Sequence, residues 1–366
     1  MGLLSLVIPT FNEKPNIEPL LQEIDKALVG VTDYEVVFVD DSTDDTPSFL
    51  HDLSQKNGRV RYVHRKNGTG LASAVVMGFS LAKGDVIAVM DADLQHPPSL
   101  LSSMFQALGE NNDIVLPSRY VSGGGSGGLS FTRMLASKSA RLASRLFLKS
   151  MRNVTDPMSG YFMFQRSVIE GVPLNPLGWK ILMEVLVLGK YQSVVEIPYG
   201  FEKRNAGESK LSFKVTAQYF MHIFSLVARS ERDRRFFLFA LVGMSGIIVD
   251  MAVFLALTSM FTLSINLAAT VSAASAMISN FLLNTNMTWK NREKQRVDKE
   301  FSRYAVTNCI GIGIKNLFVY FLVRLGCSGV WSNLVGIMAA CLWNYRMDSH
   351  WVFKLKDITV KLRRKG

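Results

Sequence analysis

The chain of 366 residues has few soft metal ligands. Its three cysteines, Cys309, Cys327 and Cys341, form no CxxC pair and no cysteine–histidine ligand spacing. An odd number of cysteines in apolar surroundings argues against a disulfide framework and a zinc site, and leaves them as small buried hydrophobes. The N-terminus has no basic leader: Met1 to Pro9 is short and runs straight into a strand. That is not a secretory signal, so the first domain is expected to stay in the cytoplasm. A duplex-binding motif is missing as well. The formal charge of +11 and pI near 9.5 come from clusters at 229–235, 290–299 and 354–365, each beside an apolar segment. This placement suits an anionic membrane face and not nucleic acid.

Charged residues are frequent up to about Arg235, after which the chain turns strongly apolar. Length and this shift predict two domains, 1–231 and 232–366. In the first, apolar runs at Leu3–Pro9, Glu35–Asp40, Val60–His64, Asp85–Asp91 and Asp113–Pro117 read as strands. They alternate with amphipathic stretches at Ile17–Leu28, Thr46–Gln55 and Gly70–Leu81. That alternation predicts an α/β domain with a mostly parallel sheet built from right-handed crossovers. Ligands of such sheets gather at the carboxyl ends of the strands. Here those ends carry Pro9-Thr10-Phe11-Asn12-Glu13, then Asp40-Asp41-Ser42, then Asp91-Ala92-Asp93. The last is the most informative. Asp91, Asp93 and Gln95 offer oxygen donors and almost no soft ones, which is how Mg²⁺ or Mn²⁺ is held against a phosphorylated substrate. The bland alternative is a strand end whose acidic residues cap a turn.

The ordered set P-T-F-N-E, V-D-D-S, G-L-A-S-A, D-A-D-L-Q-H-P-P, S-R-Y, D-P-M-S-G-Y-F and G-E-S-K resembles the inverting GT-A glycosyltransferases. Within them it is most similar to the polyprenyl-phosphate hexosyltransferases of the dolichol-phosphate mannose synthase type. The resemblance spans Leu3 to about Glu231 and implies a nucleotide-diphospho-sugar transferase fold. It implies that Pro9, Thr10, Asn12, Glu13 and Asp40 hold the base and ribose of the donor, although Glu13 and Asp40 also suit helix or turn caps. It further implies that Asp91, Ala92, Asp93 and Gln95 meet the donor diphosphate, the metal sitting on Asp91, Asp93 and Gln95. Arg119, Arg133 and Ser137 would take the acceptor phosphate, where arginine's planar fork suits bidentate recognition. Lys138, Arg141 and Arg145 read instead as a solvated helix face. Arg204, Ser209 and Lys210, around Gly207, would close over the donor diphosphate.

Mechanism follows from the implied acceptor. A polyprenyl phosphate is already anionic, so it needs no general base, and the paired acid and base of glycoside hydrolysis are unnecessary. The expected reaction is one in-line displacement with inversion, run by positioning and electrostatics. With GDP-mannose as donor it gives a β-linked mannosyl phosphate. A UDP-glucose donor is the alternative within the fold.

Four apolar segments follow, at about Phe236–Leu257, Leu263–Leu283, Tyr304–Val323 and Ser328–Trp343, each near the ~20 residues that cross hydrocarbon. The loops at 259–262 and 326–327 carry no Lys or Arg, so the catalytic domain, the middle loop and the C-terminus are expected on the cytoplasmic side. An internal repeat is visible. Phe236 aligns with Phe301, Gly246 with Gly311 and Asp250 with Lys315, and N-F-L-L-N from Asn280 echoes N-Y-R-M-D from Asn344, each followed by Trp289 or Trp351. The unit resembles a duplicated two-helix hairpin of the GtrA-like kind. Asp250 and Lys315 at matching depths suggest an ion pair between the hairpins. A lipid flippase is a different class of reading for the same two residues. A processive polysaccharide synthase is disfavoured by the lack of a Q-x-x-R-W motif. Phe131–Leu148 and Leu211–Val227 mix apolar and basic residues at helical spacing and read either as interface helices or as helices packed on the sheet.

Overall fold

The computed structural model describes residues 2–66, 68, 70–125, 140–200, 213–261, 263–293, 295–354 and 361–364, with backbone alone at 213–216 and 361–364. The chain divides into two compact units that meet in sequence at Ser230 and Glu231, with the short C-terminal strand grouped with the first.

The first unit is a mixed, mostly parallel sheet flanked by helices. Its strands are β1 Leu4–Thr10, β2 Tyr34–Asp40, β3 Val60–His64, β4 Val86–Val89, β5 Ile114–Ser118, β6 Phe162–Gln165, β7 Ser193–Pro198 and β8 Lys361–Arg364. The spatial order is β3-β2-β1-β4-β6-β5-β7-β8. Only β6 runs against its neighbours, β4 and β5; the other pairings are parallel. Every residue of β1 and β2 is buried, as expected of strands covered on both faces. The connecting helices are α1 Lys14–Leu28, α2 Thr46–Lys56, α3 Leu71–Leu81, α4 Leu100–Gly109, α5 at 140–147 and α6 Ile181–Leu188. Helix α1 shows how the sequence sets these: Ile17, Leu20, Ile24 and Leu28 form its buried stripe, and Pro15 sits in its first turn, where a missing N–H costs nothing.

Strands β6, β7 and β8 lie outside the five apolar runs expected as strands. Phe162-Met163-Phe164 is too short to separate a buried strand from a buried helix by periodicity. In the fold it lies fully buried between β4 and β5.

Helix α7, Phe213–Arg229, docks on α6 through a charged knot. Glu184 Oε1 takes hydrogen bonds from His222 Nε2 at 3.1 Å and Arg229 Nη1 at 2.8 Å, and Oε2 takes one from the Asn175 N–H at 3.2 Å. Burial alone pushes the Glu184 carboxyl up, but the His222 and Arg229 bonds outweigh it and hold it below the usual range.

The second unit holds α8 Glu231–Ser259, α9 Ile265–Leu283, α10 Val297–Arg324 and α11 Gly329–Met347. Among the described residues, three spans are long and apolar enough to cross a membrane: α8, α9 with its extension to Thr288, and α10. The sequence repeat is a structural one. α8 packs on α9 and α10 on α11. Gly246 lies against the Asn280 side chain, and Gly311 lies against Asn344 in the same way. Each hairpin ends in a π-helical turn, Asn284–Thr288 or Asp348–Val352. The two turns are joined by Trp289 and Phe353, stacked with centroids 4.6 Å apart and fully buried with Phe239, Phe281 and Tyr304.

Three expectations are corrected here. Asp250 is not paired with Lys315: its Oδ1 accepts from Ser272 Oγ at 2.6 Å within its own hairpin. Depth along two helices is readable from a repeat, whereas the facing partner depends on which helices pack together. The residue that repeats Trp289 is Phe353, not the partly exposed Trp351. Cys309 and Cys327 are exposed and Cys341 is half-buried, because in this unit an apolar neighbourhood is an outer helix surface as often as a core.

Two outcomes follow from this packing. As pH falls below about 4.5 and through the depressed folded value of Glu184, the stabilisation from its ionised form is lost. Protease cleavage within α7 should therefore increase on that side, and Glu184→Gln should remove the step. Phe353→Ala should cost about 3 kcal/mol or more in thermal unfolding of the detergent-solubilised protein, while Trp351→Ala should cost under about 1 kcal/mol.

Candidate active site

The carboxyl ends of β1, β2 and β4 come side by side, because these strands are parallel neighbours in the sheet. Pro9 and Thr10 close β1 and are buried; Asn12 and Glu13 follow at the surface rim. Asn12 has φ of 58°, a left-handed conformation that Asn tolerates better than most residues. Its side chain accepts from the Thr43 N–H at 2.9 Å, and its own N–H donates to Ser42 Oγ at 2.7 Å. Asp40 is fully buried under this loop. Its Oδ1 accepts from Thr10 Oγ1 and Ser42 Oγ, and its Oδ2 lies 2.8 Å from His64 Nδ1. Asp40 thus ties the tips of three strands together, and its carboxylate is engaged by the protein on both oxygens. Glu13 accepts from Asn16 Nδ2 at 2.6 Å, one helical turn on.

At the end of β4 the Asp91-Ala92-Asp93 turn presents two part-exposed carboxylates around a buried alanine. The turn is fixed from behind. His96 is buried, takes the Asp91 N–H on Nδ1 at 3.0 Å, and stacks on Tyr161 at 5.1 Å. The Tyr161 hydroxyl donates to the Pro97 carbonyl at 3.1 Å. Asp93 Oδ1 accepts from the Gln95 N–H at 3.1 Å, and Leu94 between them has φ of 60°. Gly160 passes so close that a Cβ there would stand 3.3 Å from His96 Cε1 and 3.4 Å from Asp91 Oδ2. The D-P-M-S-G-Y segment therefore wraps the turn, and a side chain at its glycine would have to press His96 back by a few tenths of an ångström.

The same segment supplies a charged cluster. Asp156, 3% exposed, pairs with Arg119 Nε at 2.9 Å. Glu196 Oε1 accepts from the Asp156 N–H, the Thr155 N–H and Thr155 Oγ1, which fixes the loop beneath. Burial opposes the charge on Arg119, but Asp156 more than offsets it, so the guanidinium is held charged more firmly than usual. Lys180 donates to the Met158 carbonyl at 3.2 Å. Burial and Arg119 push its ammonium below the usual lysine range, against the pull of Asp156 and Asp91. Tyr199 is pushed up to about 12, chiefly by burial.

The expected residues are thus placed unequally. Asp91, Asp93 and Gln95 stand together, as do Pro9, Thr10, Asn12 and Asp40. Arg119 is bound to Asp156. Arg133, Ser137, Lys138, Arg204, Ser209 and Lys210 lie outside the described residues. Arg141 and Arg145, read as solvated, instead donate to the Thr155 and Val154 carbonyls, and Arg141 covers the Tyr120 ring at 4.0 Å. Helical spacing shows that a basic residue faces outward, not that a loop has come to meet it. Sequence reading missed Lys180 and Asp156 as members of the cluster. Asp156 was visible only inside a motif, and Lys180 carries no local pattern at all.

The donor set at Asp91, Asp93 and Gln95 suits a hard cation. Among the described residues no three His, Cys, Asp or Glu side chains gather as a metal site. Two carboxylates and an amide would give a hard cation part of an oxygen shell.

Residues 5–172 match the model of glycosyl transferase family 2, and 238–353 match that of the GtrA/DPMS transmembrane domain. The chain is 38% identical over 347 residues to the dolichol-phosphate mannosyltransferase of Pyrococcus furiosus, covering 94% of this chain and 98% of that relative. The chain belongs to the dolichol-phosphate mannosyltransferase family. The yeast (Saccharomyces cerevisiae) dolichol-phosphate mannosyltransferase is 34% identical over 231 residues, 60% of this chain and 85% of its own. Among solved structures, glucosyl-3-phosphoglycerate synthase from Mycobacterium tuberculosis aligns with a TM-score of 0.48 at 20% identity, over 62% of this chain and 79% of that one. Members of this family are glycosyltransferases, and this chain joins that domain to membrane helices.

Within this cluster the ion pair is the element whose loss is most easily measured. Asp156→Ala leaves Arg119 buried without its partner and should cost about 3–5 kcal/mol, read as a lowered melting temperature. Replacing both residues with apolar ones should recover most of that loss.

Proposed function

We propose that this enzyme transfers mannose from GDP-mannose to dolichyl or another polyprenyl phosphate, in one in-line displacement that inverts the anomeric carbon. The observation that carries the reading is the Asp91-Ala92-Asp93 turn beside the Arg119–Asp156–Lys180 cluster, in a chain of this family. Thr10, Asn12 and Glu13 line the base and ribose side with Pro9, and Asp40 positions Thr10 and Ser42 there. Asp91, Asp93 and Gln95 would hold Mg²⁺ or Mn²⁺, which supplies a Lewis acid and a charge template for the departing diphosphate. Lys180 and Arg119 bring two basic groups beside the turn, suited to phosphate groups. Arg133 and Ser137 with Arg119 on the acceptor phosphate, and Arg204 and Lys210 on the donor diphosphate, keep the roles the family resemblance implies. The acceptor oxygen is anionic already, so no side chain has to remove its proton.

The acceptor's lipid explains two further features. Leu142 and Leu146 on α5, and Phe220, Met221 and Phe224 on α7, are exposed, with Phe147 edge-on to Phe224. Such faces suit a bilayer interface, where they would hold a polyprenyl chain near the sheet edge. In this reading α11 is a fourth membrane span beside the three of sufficient length and hydropathy, and the basic islands support a cytoplasmic catalytic domain, middle loop and C-terminus.

Incubation of the enzyme with polyprenyl phosphate and either GDP-mannose or UDP-glucose, with and without Mn²⁺, tests the reading. The expected product is a β-linked mannosyl lipid formed from GDP-mannose and dependent on metal. Asp93→Ala should lower its rate by about two orders of magnitude, the scale of electrostatic groups acting on a leaving group. Glucosyl lipid alone would overturn the donor, and an α-linked product or a trapped glycosyl-enzyme would overturn the mechanism.

A further inference from the structure

The second unit contains a carboxylate for which the transfer reaction has no use. Asp348, just beyond α11, is fully buried, and neither of its carboxylate oxygens has a hydrogen-bond partner. An ionised carboxylate in that state costs several kcal/mol unless a positive charge answers it. Two more oxygens in the same condition belong to its neighbours. Asn344 lies one helical turn earlier on the same face. Its Nδ2 donates to Asn308 Oδ1 at 3.2 Å, and its own Oδ1, lying against Gly311, is buried without a partner. On α10, Thr307 is fully buried and its Oγ1 is unpartnered too.

Helix register brings these atoms to one level. Gly311 rests against the Asn344 side chain, and α10 and α11 run antiparallel as consecutive packed helices. One turn back from Gly311 is Thr307, and one turn on from Asn344 is Asp348, so the two face each other. The donors are a carboxylate, an amide oxygen and a hydroxyl, all hard, with one net negative charge.

Two basic residues of α10, Lys315 and Arg303, are turned to other partners. Lys315 lies two turns along α10 from Thr307, with its side chain against Gly336. Arg303 donates to Gln295 Oε1 and the Trp351 carbonyl.

The first hairpin provides a control built into the chain. Asn280 covers Gly246 as Asn344 covers Gly311, but the positions of Thr307 and Asp348 are taken by Val242 and Asn284. The Asn284 amide oxygen accepts from Thr288 Oγ1 at 2.8 Å, and its side chain bonds Tyr304. The Asn280 amide oxygen is buried without a partner just as that of Asn344 is, so what sets the second hairpin apart is Thr307 and Asp348. The first builds the same π turn with a neutral, partnered Asn284, and the architecture does not require a carboxylate at that place.

We propose that Asp348, Asn344 and Thr307 form a binding site for an alkali cation between α10 and α11. One carboxylate neutralises one such charge, whereas a divalent ion would leave a net charge in a low-dielectric setting. The site is independent of the transfer reaction, and so is its test. The full-length protein in detergent, exchanged into choline chloride, is unfolded thermally while Na⁺, or in a parallel series K⁺, replaces choline at constant ionic strength. The melting temperature should rise and saturate with at least one of the two ions, following mass action for a ligand of the folded state. Asp348→Asn should fold, judged by circular dichroism and size exclusion, and lose the rise. Thr307→Val should need about tenfold more cation for half the effect, and carries the test if Asp348→Asn does not fold. A melting temperature flat in both ions, or a rise that survives unchanged in the folded Asp348→Asn or in Thr307→Val, overturns the proposal.

Discussion

A parallel sheet covered on both faces leaves its strands nowhere to place a polar side chain except at their ends. β1 and β2 obey this along their whole length, every residue being buried. The few polar groups that interrupt them are neutralised in place, as Ser5 is by Glu35 at 2.6 Å and Glu35 in turn by Arg61 at 3.0 Å. Chemistry is thereby driven to the carboxyl ends of β1, β2 and β4, which parallel pairing sets side by side. The position of the site is a consequence of strand direction before it is a consequence of any catalytic residue.

Charge at such a site has to be held without being spent. The Asp91-Ala92-Asp93 turn is held at its backbone by His96, which takes the Asp91 N–H, and at its side chain by the Gln95 N–H on Asp93 Oδ1, and both carboxylates stay part-exposed. Asp40 is the opposite case. Both of its oxygens are engaged, so it organises the loop that follows β1 and does not present itself outward. Two aspartates that look equivalent as strand-end residues are divided by burial: Asp91 is part-exposed, and Asp40 is enclosed with both oxygens engaged.

What could be read in advance follows the same division. Apolar runs placed the first five strands to within two residues at their ends, since burial on both faces writes itself as an unbroken hydrophobic stretch. β6 was hidden because four residues carry no period. The Asp91-Ala92-Asp93 turn was legible because its two carboxylates lie two residues apart in the chain. The Arg119–Asp156–Lys180 cluster was not, because it is assembled from a loop, a wrapped segment and a helix start separated by up to 61 residues in sequence. Asp250 and Lys315 show the limit within helices: a repeat fixes depth, while the partner is chosen by packing, which here put Ser272 in reach.

Duplication sharpens that point. Two hairpins of common descent share the glycine–asparagine contact, the π turn and an aromatic that stacks across the pair, and these shared features are what the architecture needs. Where the copies differ, the difference cannot be assigned to holding the helices together, because the other copy holds them without it. Val242 and Asn284 in one hairpin against Thr307 and Asp348 in the other is such a difference, and it replaces a satisfied amide with a buried, unpartnered carboxyl group. A buried carboxyl confined to one copy of a repeat points to a ligand in place of a packing role, and the oxygen atoms around Asp348 specify the sign of that ligand's charge.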